Sequence, residues 1–224
     1  MKQPGAQHLM LREERDFRQE EAHHREQLLI ILDCIKVKHE IQNKKDMKKV
    51  LVFLVDGFEE IEALATIDIL RRGNVDVTTV SVTGKKEVMG SHRVPVIADV
   101  LFEQADFAVD MLVLPGGTTA FNDHDGLKAK IMEFHNAGKH IAAICASPMV
   151  FGGLGILTGK RATAYPGFEQ YLEGAIFTPE AAVVDGHITT GRGPGFTFDF
   201  ALALLEILEG EKMKNEVAKQ LLLV

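Results

Sequence analysis

Lys48-Lys49-Val50-Leu51-Val52-Phe53-Leu54-Val55 is the stretch on which the fold turns. From Val50 to Val55 the residues are apolar without a break. That is the pattern of a parallel strand buried on both faces. Downstream, Ile61, Leu64, Ala65, Ile69 and Leu70 recur at helical spacing, which predicts a helix over 61–72 closed by Gly73.

The alternation continues to the end of the chain. Val75–Val82 reads as the next strand, and Val88–Met89 and Val94–Ile97 as short strands flanking a loop. Met111–Leu114 is a buried strand closed by Pro115-Gly116-Gly117. Leu127–Asn136 is a helix with Gly138 at its end, and Ile141–Ile144 is a strand that runs straight into Cys145. A helix covers Pro148–Leu154. Ala162–Ala164 and Ala181–Val184 are short strands, and His187–Thr190 follows an Asp185-Gly186 hairpin turn. Helices fill Phe196–Glu209 and 211–222. Such alternation predicts an α/β fold, a mostly parallel sheet with helices on both faces. Ligands in such folds gather at the carboxyl ends of the strands.

Composition narrows the function classes. The chain has 224 residues, 46% hydrophobic and 25% charged, which excludes a wholly disordered protein. The net charge is -7 and no long basic run occurs, which argues against a nucleic-acid partner. The two cysteines, Cys34 and Cys145, cannot build a disulfide scaffold or a Cys-rich zinc site. A reducing, cytoplasmic compartment fits that usage. The apolar run Leu28–Leu32 is far too short to span a membrane, and its position and acidic surroundings do not suit a signal peptide.

Composition changes sharply near Met47. Residues 1–46 hold equal numbers of basic and acidic side chains and read as a charged helix, with a weak apolar stripe of Leu28, Leu29, Ile31, Leu32 and Ile35. This predicts an N-terminal extension over 1–46, or a wrongly assigned start, and an α/β domain over 47–224. A helical arm that docks on a partner is the alternative. His23 and His24 are adjacent and point to different helix faces, so no metal ligands are assigned there.

Four loops at strand ends carry chemistry. After the first strand come Asp56-Gly57-Phe58-Glu59-Glu60-Ile61-Glu62. Glu59 and Glu60 are expected to form a solvated helix start, favoured by the helix dipole. Glu62, beside Ile61 and Ala65, is expected to be partly buried against the sheet with a raised pKa. Cys145 lies at a strand-to-helix turn, the position of a nucleophile elbow, where the following helix N-terminus would stabilise a thiolate. A small buried hydrophobe is the alternative for it, and Cys34 is read as incidental. Pro115-Gly116-Gly117-Thr118 lets backbone N–H groups approach a ligand, and with the Ala146 N–H it could form an oxyanion hole around Cys145. Thr190-Gly191-Arg192-Gly193-Pro194-Gly195 reads as a turn into the last long helix rather than a dinucleotide loop. Arg192 is a candidate to bind a carboxylate or to cross a subunit boundary.

Together these loops resemble the ThiJ/PfpI superfamily, and within it the DJ-one-like (Parkinson-associated protein deglycase) subgroup. The matching stretches are Val55–Glu62, Leu114–Gly117, Ala142–Pro148 and Gly191–Gly195, in family order across about 48–210. The resemblance implies a flavodoxin-like three-layer sandwich and a homodimer. It implies that Cys145 is the reactive, oxidisable thiol, that Glu62 is a protonated carboxyl hydrogen-bonded to it, and that Gly117 and Ala146 supply oxyanion N–H groups. The pocket candidates are Gly116, His92, Tyr165 and Arg192.

Two positions depart from the superfamily pattern. Ala146 stands where protease-like members carry His, which speaks against a peptidase. Tyr165 stands where the deglycase subgroup carries a pocket His, and a phenol with an ordinary pKa of ~10 is a poor base. His92, in Gly90-Ser91-His92-Arg93, is a candidate to supply the missing imidazole, with a surface-loop histidine as the alternative. His124, His135, His140 and His187 are read as surface or strand-edge residues. The expected activity is a glyoxalase or deglycase reaction on methylglyoxal-like dicarbonyls or their early adducts, without cofactor or metal. A stress sensor or chaperone-like protein with an oxidisable Cys145 is the second expectation.

Overall fold

The computed structural model describes residues 47–223 and, upstream of them, Leu29, Ile31 and Leu32. Two units divide the chain, Met1–Met47 and Lys48–Val224. In the first, Leu29, Ile31 and Leu32 are helical and exposed. The rest of the expected stripe, His23, His24 and Cys34 lie outside the described residues.

The second unit begins with β1 (Lys49–Leu54), whose residues from Val50 onward are all buried. Leu51 and Phe53 point into one core, and Val50 and Val52 into another. Alternate residues of a strand face opposite ways, so β1 requires cover on both sides. The chain meets this with α1 (Glu60–Arg72) and α4 (Thr197–Glu209) on one face. The other face packs against α2 (Asp125–Asn136) and α3 (Pro148–Gly153). The result is a three-layer α/β sandwich of the flavodoxin-like kind.

Parallel pairing builds the sheet around β1. It pairs with β2 (Asp76–Ser81) on one side and β6 (Met111–Leu114) on the other. β5 (Val100–Leu101) extends the β2 side. β7 (His140–Ile144) and β11 (Ile188–Gly191) extend the β6 side. β10 (Ala182–Asp185) closes that edge as the antiparallel strand. The seven strands run in the order β10-β11-β7-β6-β1-β2-β5. β3 (Glu87–Met89) and β4 (Pro95–Ile97) form a separate antiparallel hairpin, and β8 (Arg161–Ala162) pairs with β9 (Ile176–Phe177). A last helix, α5 (Glu211–Gln220), follows α4. No helix of the described residues is long and apolar enough to cross a membrane.

Several local expectations shift. Only part of the apolar stripe of α1 is buried: Ile69 and Leu70 are, but Ile61 and Leu64 are 53% and 41% exposed, and Glu62, Ala63, Thr66 and Ile67 share the buried face. Gly73 closes α1, but its φ is -83° and the left-handed residue is Asn74 (φ 62°). The glycine is needed for proximity, since a Cβ there would run into Leu205. The β10–β11 turn sits at Gly186-His187, because Asp185 still pairs with Ile188. The two-residue strands β5 and β9 carry too little pattern to be read in the sequence.

Phe53 is fully buried at the centre of the sheet. Phe53→Ala is expected to destabilise the domain by about 3–5 kcal/mol, read from urea denaturation midpoints.

Candidate active site

Strand order dictates the site. The loops after β1, β6, β7 and β11 leave the same edge of four adjacent strands. At or just beyond these strand ends lie Glu62 in the first turn of α1, Gly116-Gly117, Cys145, and Gly191-Arg192 at the end of β11.

Cys145 has φ 66°, a left-handed conformation that is uncommon for any residue but glycine. Strain of this kind costs on the order of 1–3 kcal/mol and persists only where the surroundings hold it. The Cys145 N–H donates to the Gly191 carbonyl at 2.9 Å, and its own carbonyl accepts the Tyr165 N–H at 2.9 Å. Next along the chain, the Ser147 hydroxyl donates to the Pro115 carbonyl at 2.6 Å, fastening this turn to the end of β6. The N–H groups of Gly117 and Ala146 both donate toward the sulfur.

Glu62 is 0% exposed. Its Oε2 accepts the Gly116 N–H at 2.7 Å, and its Oε1 is buried without a hydrogen-bond partner among the described residues. The carboxyl and the Cys145 thiol both lie against Gly116, close enough that each influences the other's proton affinity. Burial raises the Glu62 pKa to about 7, and the charge of Glu59 adds to the rise, while the Gly116 N–H and the Cys145 thiol oppose it. This pKa lies well above the ordinary carboxylate range, in the direction the sequence predicts.

The thiol differs from expectation. Burial pushes Cys145 up to about 12, and the Glu62 charge and the hydrogen bond to it act in the same direction. The Gly117 and Ala146 N–H groups lower it but do not outweigh burial. α3 is short and buried at its start, so its dipole does not produce a free thiolate by itself. The Glu62 repulsion belongs to the ionised carboxylate. Once Glu62 holds a proton, the repulsion vanishes and its O–H can donate to sulfur. Near neutral pH the carboxyl, rather than the thiol, is the partner that gains or loses a proton.

The glycines are required by space. A Cβ on Gly116 would lie 2.5 Å from the Cys145 Cβ and 2.7 Å from Glu62 Oε2. Gly117 has φ 91°, and a Cβ there would press on the backbone of Gly57, Phe58 and Glu59.

Glu59 and Glu60 are not a solvated helix start. Each is only 8% exposed. Glu59 is the N-cap of α1, its Oε2 accepting the Glu62 N–H at 2.8 Å. It fixes the backbone of Glu62, a role legible as an acid three residues ahead of another at a helix start. Glu60 binds His92: Oε1 accepts the His92 N–H at 2.7 Å, and Oε2 lies 2.9 Å from Nδ1. Burial by itself would raise the Glu60 pKa, but hydrogen bonds from His92 and Ser91 bring it down to about 2.

The structure brings Cys145, Glu62, Gly116, Gly117 and Ala146 together. Tyr165 joins them through its backbone, while its side chain is largely exposed and lies against Gly193. His92 contacts Glu60 and Ser91 rather than the thiol. Arg192 is held by its N–H to the Ala181 carbonyl, and its Nη1 is buried without a partner among the described residues. Three histidines read as surface or strand-edge residues have structural partners: His124 caps α2 by accepting the Leu127 N–H, and His135 and His187 share a 3.0 Å contact.

Sequence comparison matches residues 48–207 to the DJ-1/PfpI family. The chain belongs to the DJ-1/PfpI family. It is 37% identical over 182 residues to protein DJ-1 homolog B of Arabidopsis thaliana, covering 79% of this chain but 42% of that protein. Thus it spans less than half the length of that relative. It is 36% identical to protein dj-1beta of Drosophila melanogaster, covering 78% of this chain and 97% of the fly protein. Among solved structures, oxidized DJ-1 of Toxoplasma gondii superposes with a TM-score of 0.75 at 36% identity, over 78% of this chain and 98% of that one. The DJ-1/PfpI match spans all four motif loops, and the fold agrees with the sandwich expected from them.

Glu62 binds its proton more tightly in the folded protein (about 7) than at the ordinary value of 4.5. Its stabilising contribution is complete below pH 4.5 and is lost as pH rises through about 7. Glu62→Gln is expected to flatten this decline in urea denaturation at stepped pH. A slope unchanged in the variant would assign it to other groups.

Proposed function

We propose that Cys145 and Glu62 form a cofactor-independent pair that converts methylglyoxal-like dicarbonyls, or their early adducts, into 2-hydroxy acids. The observation that carries this reading is a fully buried carboxyl, its pKa raised to about 7, packed beside a thiol that two backbone N–H groups also face. A general acid/base works best when its pKa lies near the working pH.

Sulfur attacks the aldehyde carbon, a C–S bond forms, and the thiol proton passes by way of Glu62 to the former carbonyl oxygen. The Gly117 and Ala146 N–H groups stabilise the negative oxygen on the way to this hemithioacetal. Glu62, now ionised, takes the proton from that carbon and returns it to the neighbouring carbonyl carbon, while the hydroxyl proton on the first carbon passes to the oxygen of the second, leaving a thioester and a new hydroxyl. The first carbon is thereby oxidised and the second reduced, with no external electron acceptor. Water then cleaves the thioester, releasing the 2-hydroxy acid and the thiol. Arg192, beside Gly191 and with its unpartnered Nη1, is assigned to the carboxylate of the product. Tyr165 serves through its backbone, and His92 is left outside the reaction.

Turnover of methylglyoxal to lactate by the full chain is the test. Cys145→Ala is expected to abolish it, and Glu62→Gln to lower it at least ~100-fold. Turnover that survives in either variant refutes the pair.

The same donors favour a second reading. Two peroxide molecules would each give one oxygen to Cys145 and leave as water, forming a sulfinate that protonated Glu62 and the two N–H groups would hold. The solved relative named as oxidized supports it. Absent turnover together with a Cys145 mass gain of two oxygen atoms favours this sensor role. A free, oxidisable thiol suits a cytoplasmic setting.

A homodimer is part of the proposal. Ile61 and Leu64 on α1, with Met89, Val94 and Ile97 at the β3–β4 hairpin, expose an apolar surface suited to a second copy. Leu64→Glu is expected to shift the protein toward monomer in sedimentation equilibrium, and an unchanged mass would move the interface elsewhere.

A further inference from the structure

Glu59, Glu60 and His92 form a second set of donors, on the outer side of the α1 start. One ligand atom from each lies within 4.8 Å of the other two. Both carboxylates are anchored by backbone N–H groups on one oxygen. Glu59 Oε2 accepts from Glu62, and Glu60 Oε1 accepts from His92. The remaining oxygens, Glu59 Oε1 and Glu60 Oε2, lie 4.0 and 2.9 Å from His92 Nδ1. Backbone anchoring of one oxygen while the other faces a common point is how ligand carboxylates are oriented.

Charge points the same way. The two glutamate side chains are each only 10% exposed. Glu59 Oε1 lies 4.0 Å from His92 Nδ1. No lysine or arginine among the described residues forms an ion pair with either glutamate, so the one basic neighbour is the exposed His92 imidazole. Buried carboxylates of like charge side by side are normally paired or coordinate a metal.

We propose that Glu59, Glu60 and His92 bind a divalent cation of the zinc class, with water completing the coordination. Two carboxylate oxygens and one imidazole nitrogen are a donor set that zinc accepts at about 2.0–2.2 Å. Donors 2.9 and 4.0 Å apart can both reach one ion at those lengths after small adjustments. His92 can supply the adjustment, because its ring is 73% exposed. In the isolated chain that exposure also leaves an open path for the ion and its waters. Ser91 Oγ, 3.1 Å from Glu60 Oε2 and 3.0 Å from His92 Nδ1, gives up one of these contacts when the ion enters. This site is independent of the reaction proposed for Cys145.

Isothermal titration of chelator-treated full chain with zinc chloride tests the proposal. One ion per chain is expected, with affinity at least tenfold lower in His92→Gln, whose exposed ring makes the substitution safe for folding. Cys145→Ala is expected to bind zinc as the unaltered protein does. A Glu59→Gln variant that still unfolds cooperatively is expected to match His92→Gln. Equal affinity in His92→Gln, loss of binding in Cys145→Ala, or no saturable binding at all overturns it.

Discussion

The two-sided burial of β1 is the constraint on which the rest depends. Val50 and Val52 demand apolar cover on one face, and Leu51 and Phe53 demand it on the other. A strand in that position must sit mid-sheet, with helices above and below. Parallel neighbours satisfy this because each crossover returns the chain over one face. All parallel strands then end at one edge. The loops after β1, β6, β7 and β11 become neighbours there, although they are far apart in sequence. The chemical site is a consequence of sheet order.

What happens at that edge follows from exclusion of water. Gly116 brings the backbone so close that Glu62 and Cys145 are sealed against each other. In such surroundings charge is costly, so both groups favour their neutral forms. A single proton moving between them is less costly than creating two separated charges. The backbone N–H groups of Gly116, Gly117 and Ala146 supply fixed dipoles in this buried setting. Glu59 contributes from outside the pair: as the α1 cap it sets the backbone position of Glu62.

Glu60 and His92 show how a helix start can be something other than a solvated end. The β3–β4 hairpin folds over the first turn of α1, and the Ser91 N–H donates to the Phe58 carbonyl. That contact places His92 against Glu60 and away from the thiol. The imidazole is thus committed to the outer carboxylates, and Tyr165 reaches Cys145 through its backbone.

Much was legible before any coordinates. The unbroken apolar run of β1, the helix–strand alternation and the four glycine- or cysteine-bearing loops specify an α/β sandwich, because burial and backbone geometry act locally in sequence. Cys145 at a strand-to-helix turn and Glu62 as a buried acid belong to that class. The tertiary structure alone decided which face of α1 is buried, since Ile61 and Leu64 obey helical periodicity yet point outward. It also decided that Glu59 and Glu60 are buried, because the cover comes from the distant 87–97 hairpin. The high thiol pKa is likewise a tertiary result. Desolvation by packed neighbours and the nearness of Glu62 set it, and neither quantity is written in the residues flanking Cys145.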